Sequence, residues 1–118
     1  HTVGDQVLQD IGRLLKYSFR ETDITARYGG EELAVILPET TYQQSLTLAE
    51  KFRSRVEKNT VTVKDNRIRL TVSVGAAFYD PQQTLAVPGA LDLILAADRL
   101  LYRAKELGRN RVVGAKES

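Results

Sequence analysis

Apolar residues recur at Val7, Leu8, Ile11, Leu14, Leu15 and Phe19. That is the i, i+3, i+4, i+7 spacing of a helix with one buried face, and it predicts a helix over residues 4–20. Asp5 falls in its first turn, where a carboxylate suits the positive helix end. A short strand follows over residues 24–28. Gly29-Gly30 supplies the positive φ angles of a tight turn, and residues 31–37 return as a second strand that stops at Pro38. Thr40 and Thr41 offer caps for a second helix reaching residue 58, with Tyr42, Leu46, Ala49, Phe52 and Val56 on its inner face. Residues 61–63 read as a strand and Asp65-Asn66 as a turn. Strict alternation at Ile68, Leu70, Val72, Val74, Ala76 and Phe78 predicts one long strand over residues 68–79. Residues 80–89 hold Pro81, Pro88 and Gly89 and read as a loop. The third helix spans residues 90–107 and buries Leu93, Ala97, Leu100, Ala104 and Leu107, with Gly108 as its stop. Residues 111–113 add a last short strand.

The order is helix, hairpin, helix, hairpin, helix, short strand. Helices that interrupt antiparallel strand pairs predict an α+β fold, a mostly antiparallel sheet with flanking helices. A ferredoxin-like arrangement opens on a strand, whereas this chain opens on a helix. No internal repeat, low-complexity tract or linker divides the 118 residues, so they read as one domain.

Composition removes several chemistries. The chain has no cysteine and one histidine, His1. Disulfides, thiolate zinc sites, cysteine nucleophiles and Ser-His-Asp catalysis are therefore set aside, and a reducing cytoplasm suits the sequence. No apolar run approaches the ~20 residues that span a bilayer. The net charge of +2 hides a split. Residues 1–40 carry four Lys/Arg against seven Asp/Glu; residues 41–118 carry thirteen against eight. An acidic front and a basic back suit a cation site and a phosphate site, and equally an ordinary charged surface.

Candidate chemistry sits in two places. Glu31 and Glu32 follow the Gly-Gly turn, where glycines admit a ligand close to the backbone and a carboxylate can hold Mg²⁺ against phosphate oxygens. Neighbouring strand residues face opposite ways, so the two glutamates should differ in role. A solvated hairpin tip would carry the same charges. Asp98, Tyr102, Lys105 and Arg109 fall on one helical stripe, and residues 99–111 hold five Lys/Arg and one acid. Lys105 and Arg109 could grip a polyphosphate or simply stabilise a helix C-terminus. Arg20 and Asp23 either bind a ligand or end the first helix. Tyr17, Phe19, Phe52, Phe78 and Tyr102 read as packing residues.

Together these segments resemble the GGDEF family, the diguanylate cyclase domains. The signature appears as Arg27-Tyr28-Gly29-Gly30-Glu31-Glu32-Leu33, with Leu in place of the usual Phe. His1-Thr2-Val3-Gly4-Asp5 is similar to the end of the family's N-D-x-x-G-H-x-x-G-D segment. Leu70-Thr71-Val72-Ser73-Val74-Gly75-Ala76 resembles its T-x-S-x-G strand. The closing helix, from Ala97-Asp98 through Leu101-Tyr102-Arg103-Ala104-Lys105 to Gly108-Arg109-Asn110-Arg111-Val112, is a full match.

The resemblance implies a palm-type nucleotide-cyclase architecture and condensation of two GTP into cyclic di-GMP with release of pyrophosphate. It implies that Glu31 ligates Mg²⁺, with Mn²⁺ an open alternative, and that Glu32 acts in the active site. Gly29 and Gly30 would lie against the phosphates, Asp5 would bond the guanine edge, and Lys105 and Arg109 would hold phosphate. Two such domains would meet as an antiparallel homodimer. Arg20-Glu21-Thr22-Asp23 matches the R-x-x-D site at which cyclic di-GMP inhibits; Lys51 stands where a second Arg often helps, which predicts weaker inhibition. An upstream sensory domain, a cytoplasmic location and a parent that leaves room for a membrane anchor are implied as well.

Against the family pattern, the chain starts after the strand with the first metal-binding aspartate and after F-K-x-x-N-D. The expectation is that residues 1–118 form the C-terminal four-fifths of the domain and are inactive alone, unless another segment or chain supplies that strand. A catalytically silent module that senses GTP or cyclic di-GMP is the alternative. An RNA-binding domain is the weaker one, because Ala34-Val35-Ile36 and Val72-Ser73-Val74 offer no exposed aromatics.

Overall fold

A computed structural model describes residues 2–19, 24–27, 32–79 and 89–117. The first helix, α1, runs Val3–Ser18. It starts at a capping box that the apolar pattern does not reveal: the Thr2 hydroxyl accepts from the Asp5 amide at 3.1 Å, and the Thr2 amide donates to the Asp5 carboxylate at 3.4 Å. The second helix, α2, runs Tyr42–Lys58 behind a similar box, in which Thr41 and Gln44 exchange bonds. The two helices bury Ile11, Leu15, Phe52 and Val56 against each other, and Val7, Leu14, Phe19, Val35, Leu70 and Val72 close around them. Phe19 and Phe52 meet as tilted rings 5.9 Å apart. Each fully buried side chain of this size contributes about 1.5–3 kcal/mol, so this cluster is the first anchor of the fold.

Strands β1 (Ile24–Arg27) and β2 (Leu33–Ile36) pair antiparallel, with Arg27 opposite Leu33. Strands β3 (Val61–Val63) and β4 (Asn66–Ile68) form a second antiparallel ribbon. Their turn is Lys64-Asp65, one residue earlier than expected. Val63 pairs with Asn66, and both central residues take left-handed angles (φ 49° and 69°), which matches the twist of a two-residue hairpin.

The long strand predicted over residues 68–79 is divided. Leu70 and Val72 turn towards the α1–α2 core, and the ladder resumes only at β5 (Val74–Tyr79), which pairs parallel with β6 (Val112–Glu117). One continuous alternation therefore serves two layers. The last strand is twice the predicted length, because β5 offers it six partners.

Helix α3 (Ala90–Glu106) packs on one face of β5–β6 and α2 on the other. At Gly75 the approach is close: a Cβ there would lie 2.1 Å from the Ala97 carbonyl oxygen and 2.3 Å from the Leu101 nitrogen. Phe78, on the opposite pleat, meets Tyr42 of α2 at 5.9 Å. Ala104 is fully buried under this layer. Leu107 is 48% exposed rather than buried, because the helix ends at Glu106 and the chain turns there. Tyr17 and Tyr102 are also exposed, at 77% and 65%, against the packing role expected of them. The Arg55 guanidinium stacks over the Tyr17 ring at 4.7 Å, a cation–π contact on an exposed ring. Among the described residues no helix is long and apolar enough to cross a membrane.

Candidate functional site

The signature segment begins at the end of β1, with Arg27, and ends at the start of β2, with Leu33. With Arg27 opposite Leu33, residues 28–32 are the connection between the two strands. Gly29, Gly30 and Glu31 lie outside the described residues, as do Arg20 and Asp23 of the expected inhibitory site. Glu32 is half-buried and directly precedes β2. Lys51 is exposed on α2. Asp5 is exposed in the first turn of α1, where its carboxylate already accepts from the Thr2 amide.

The second candidate region is the end of α3. Lys105 is exposed on its last turn, and Arg109 lies beyond the helix. The expected four-residue stripe is therefore cut. The chain leaves the helix through Gly108 at φ +123°, where the Gly108 amide donates to the Lys105 carbonyl at 3.3 Å and the Arg109 amide to the Ala104 carbonyl at 2.9 Å. These are the paired bonds of a Schellman stop. Arg109 and Asn110 continue left-handed at φ 66° and 48°. Three consecutive residues with positive φ take the chain off the helical path at Arg109, and both Lys105 and Arg109 are exposed. Two cations of different shape, an ammonium and a planar fork, are thus available to an anion.

Sequence reasoning missed what holds this loop. Arg53 of α2 donates from Nη1 to the Asn110 side-chain oxygen at 2.8 Å, and the Asn110 amide group donates to Glu57. Arg53 also donates from Nε to both oxygens of Glu50, at 2.9 and 3.0 Å, and lies 3.5 Å from Glu57. The Asn110 backbone amide donates to the Ser73 hydroxyl at 3.2 Å, and the Val74 amide to the Arg111 carbonyl at 2.9 Å. Arg53 is only 14% exposed. Its hydrogen bonds hold the Glu50 carboxyl below the ordinary carboxylate range, and those from Asn110 and Arg53 do the same for Glu57. Glu50 and Glu57 in turn raise Arg53. The i, i+3 and i, i+4 spacing of Glu50, Arg53 and Glu57 is visible in the sequence, but the partner 53 residues further on is not.

Among the described residues no three carboxylate or imidazole groups gather as a metal cage. Mg²⁺ is commonly held by one or two carboxylates together with substrate phosphates, and the hard oxygens of Glu31 and Glu32 fit that mode by their chemistry.

Comparison with known proteins agrees with this arrangement. The profile described as Diguanylate cyclase, GGDEF domain matches residues 1–111. The chain is 44% identical over 113 residues to the uncharacterized protein YhcK of Bacillus subtilis (strain 168), covering 95% of this chain and 30% of that protein. It is 34% identical over 118 residues to Diguanylate cyclase A of Treponema denticola, covering all of this chain and 31% of the relative. It therefore spans under a third of the length of these two relatives. Among solved structures, the GGDEF domain of DgcB from Caulobacter crescentus, in complex with c-di-GMP, superposes with a TM-score of 0.85 at 30% identity, over 97% of this chain and 66% of that one. On the strength of the profile match and the shared fold, the chain belongs to the GGDEF family of diguanylate cyclase domains.

Proposed function

We propose that this domain condenses two GTP molecules into cyclic di-GMP. Each 3′-oxygen attacks the α-phosphorus of the other GTP. The bond to the β-phosphate breaks, and two phosphodiester bonds form as two pyrophosphates leave. The observation that carries the reading is the β1–β2 register, which makes the Gly-Gly-Glu-Glu segment the connection of an antiparallel hairpin. The exposed cations Lys105, on the last turn of α3, and Arg109, just beyond it, support it, as does a relative named as a diguanylate cyclase.

In this reading Glu31 holds the divalent ion, Mg²⁺ or Mn²⁺, and Glu32 contributes to the same active site. When bound, the metal neutralises phosphate charge and orients the in-line displacement. Gly29 and Gly30 let phosphate oxygens approach the backbone, Lys105 and Arg109 grip the phosphates, and Asp5 accepts from the guanine edge through the carboxylate oxygen left over from its cap. Two copies of the domain face each other so that each presents one GTP. Arg20 and Asp23, with Lys51 alongside, form the inhibitory site for cyclic di-GMP, the molecule bound by the DgcB domain. Alanine at Arg20 relieves product inhibition; inhibition that persists unchanged removes that assignment.

The decisive experiment supplies the full natural chain with GTP and Mg²⁺ and follows cyclic di-GMP and pyrophosphate. Both products should form, and Glu31→Gln should slow them on the order of 100-fold or more, the scale set by disturbing metal ligation. GTP bound tightly with neither product formed would replace the cyclase by a nucleotide-binding module.

A further inference from the structure

We propose that Asn110, clamped by Arg53 and Glu57 of α2, is a positioning residue that presents Arg109 to the substrate phosphates. The inference rests on the cyclase reading for the identity of the ligand, and on the geometry of the loop for everything else.

Arg109 has no regular element beneath it. It stands between Gly108 and Asn110, and all three take positive φ, a stretch that L-residues resist. Backbone bonds from the Schellman stop hold the entry to the loop, at Gly108 and Arg109. The exit is held by side chains. The Asn110 side chain spends its oxygen on Arg53 and its amide group on Glu57, while its backbone amide reaches Ser73. Arg53 is itself fixed by the fork it makes with Glu50. A largely buried guanidinium held by two carboxylates is a rigid support, because the bonds are charge-assisted and the side chain has little freedom left. The chain of contacts thus runs from the middle of α2 to the residue next to Arg109.

Such an arrangement matters for a phosphate grip on an irregular turn. An exposed arginine whose backbone samples several left-handed and extended states would lose part of its binding free energy in being ordered by the ligand. Clamping Asn110 removes that cost before the ligand arrives. Asparagine suits the position because it tolerates the left-handed region and carries both a donor and an acceptor.

The test is a double-mutant cycle on the full natural chain, read by GTP binding calorimetry and by amide hydrogen exchange over residues 107–111. Asn110→Gly keeps the left-handed backbone and removes both side-chain bonds. It should speed exchange at Arg109, Asn110 and Arg111 and raise the GTP dissociation constant about ten-fold, which corresponds to ~1.4 kcal/mol. In an Arg109→Ala background the same substitution should leave GTP affinity unchanged, since its effect passes through Arg109. Glu57→Gln, which keeps an acceptor on an exposed side chain, should give a smaller change in the same direction. Equal losses in both backgrounds, or unaltered exchange in Asn110→Gly, would overturn the positioning role. A wild-type chain that binds GTP without making cyclic di-GMP would refute the cyclase and leave the coupling intact. A chain that binds no GTP would refute both the cyclase and the presentation of Arg109 to its phosphates.

Discussion

The two ends of the proposed site are built in opposite ways. The β1–β2 hairpin is a local object: its strands pair with each other, Val35 leans on the α1–α2 core, and Leu33 and Ile36 remain 40% and 46% exposed. The loop after α3 is a tertiary object. It is tied to the helix by the Schellman bonds, to residues 73 and 74 by backbone and hydroxyl contacts, and to α2 by Arg53 and Glu57. The lesson concerns where chemistry and stability reside. In the proposed reading, carboxylates that hold a metal beside a Gly-Gly turn need only a light mounting. A phosphate grip made by one exposed arginine depends on the support behind it.

Changes on either side should separate these roles. The largest expected effect is functional: Glu31→Gln should reduce cyclic di-GMP formation on the order of 100-fold while shifting the unfolding midpoint little, since the hairpin carries little of the core. A matching loss of thermal stability would show that the hairpin is more deeply integrated than its contacts indicate. The largest stability effect belongs to Gly75→Ala. The new Cβ would collide with the α3 backbone, and a cost of about 2–3 kcal/mol should appear in chemical denaturation. Gly108→Ala places a side chain at φ +123° and should cost roughly 1–2 kcal/mol, with faster exchange confined to residues 107–111.

A smaller effect should follow pH. Glu50 and Glu57 titrate below their ordinary values in the folded chain, so their stabilising contribution is complete at neutral pH and is lost as pH falls through those lowered values. Protection factors over residues 109–111, corrected for the intrinsic pH dependence of exchange, should therefore fall as pH drops through those lowered values before those of the β1–β2 amides respond, and Glu57→Gln should flatten that dependence. Leu33→Ser, at the exposed start of β2, should stay within about 0.5 kcal/mol in the same denaturation experiment.

Much of this fold was legible along the chain. The apolar spacing located all three helices within one or two residues, because each buries a stripe whose period the sequence repeats directly. Gly108 was readable as a stop for the same local reason. The tyrosines were misread because helical spacing says which face a residue occupies and not whether another element covers that face. Tyr102 lies on an outward face of α3, and Tyr17 is 77% exposed with an arginine stacked on its ring. The break at residues 69–73 was hidden because the alternation continues unbroken through a change of partner layer.

Taken alone, the sequence determined the family, the helix faces, the two strands that flank Gly-Gly-Glu-Glu and the identity of the candidate ligating groups. These depend on residue type and short-range spacing. Only the tertiary structure decided that β6 runs parallel to β5, that Gly75 lies under α3, and that Asn110 is held by Arg53 and Glu57. Those facts join residues many positions apart, and whether a donor meets an acceptor across such a distance is settled by how the layers pack.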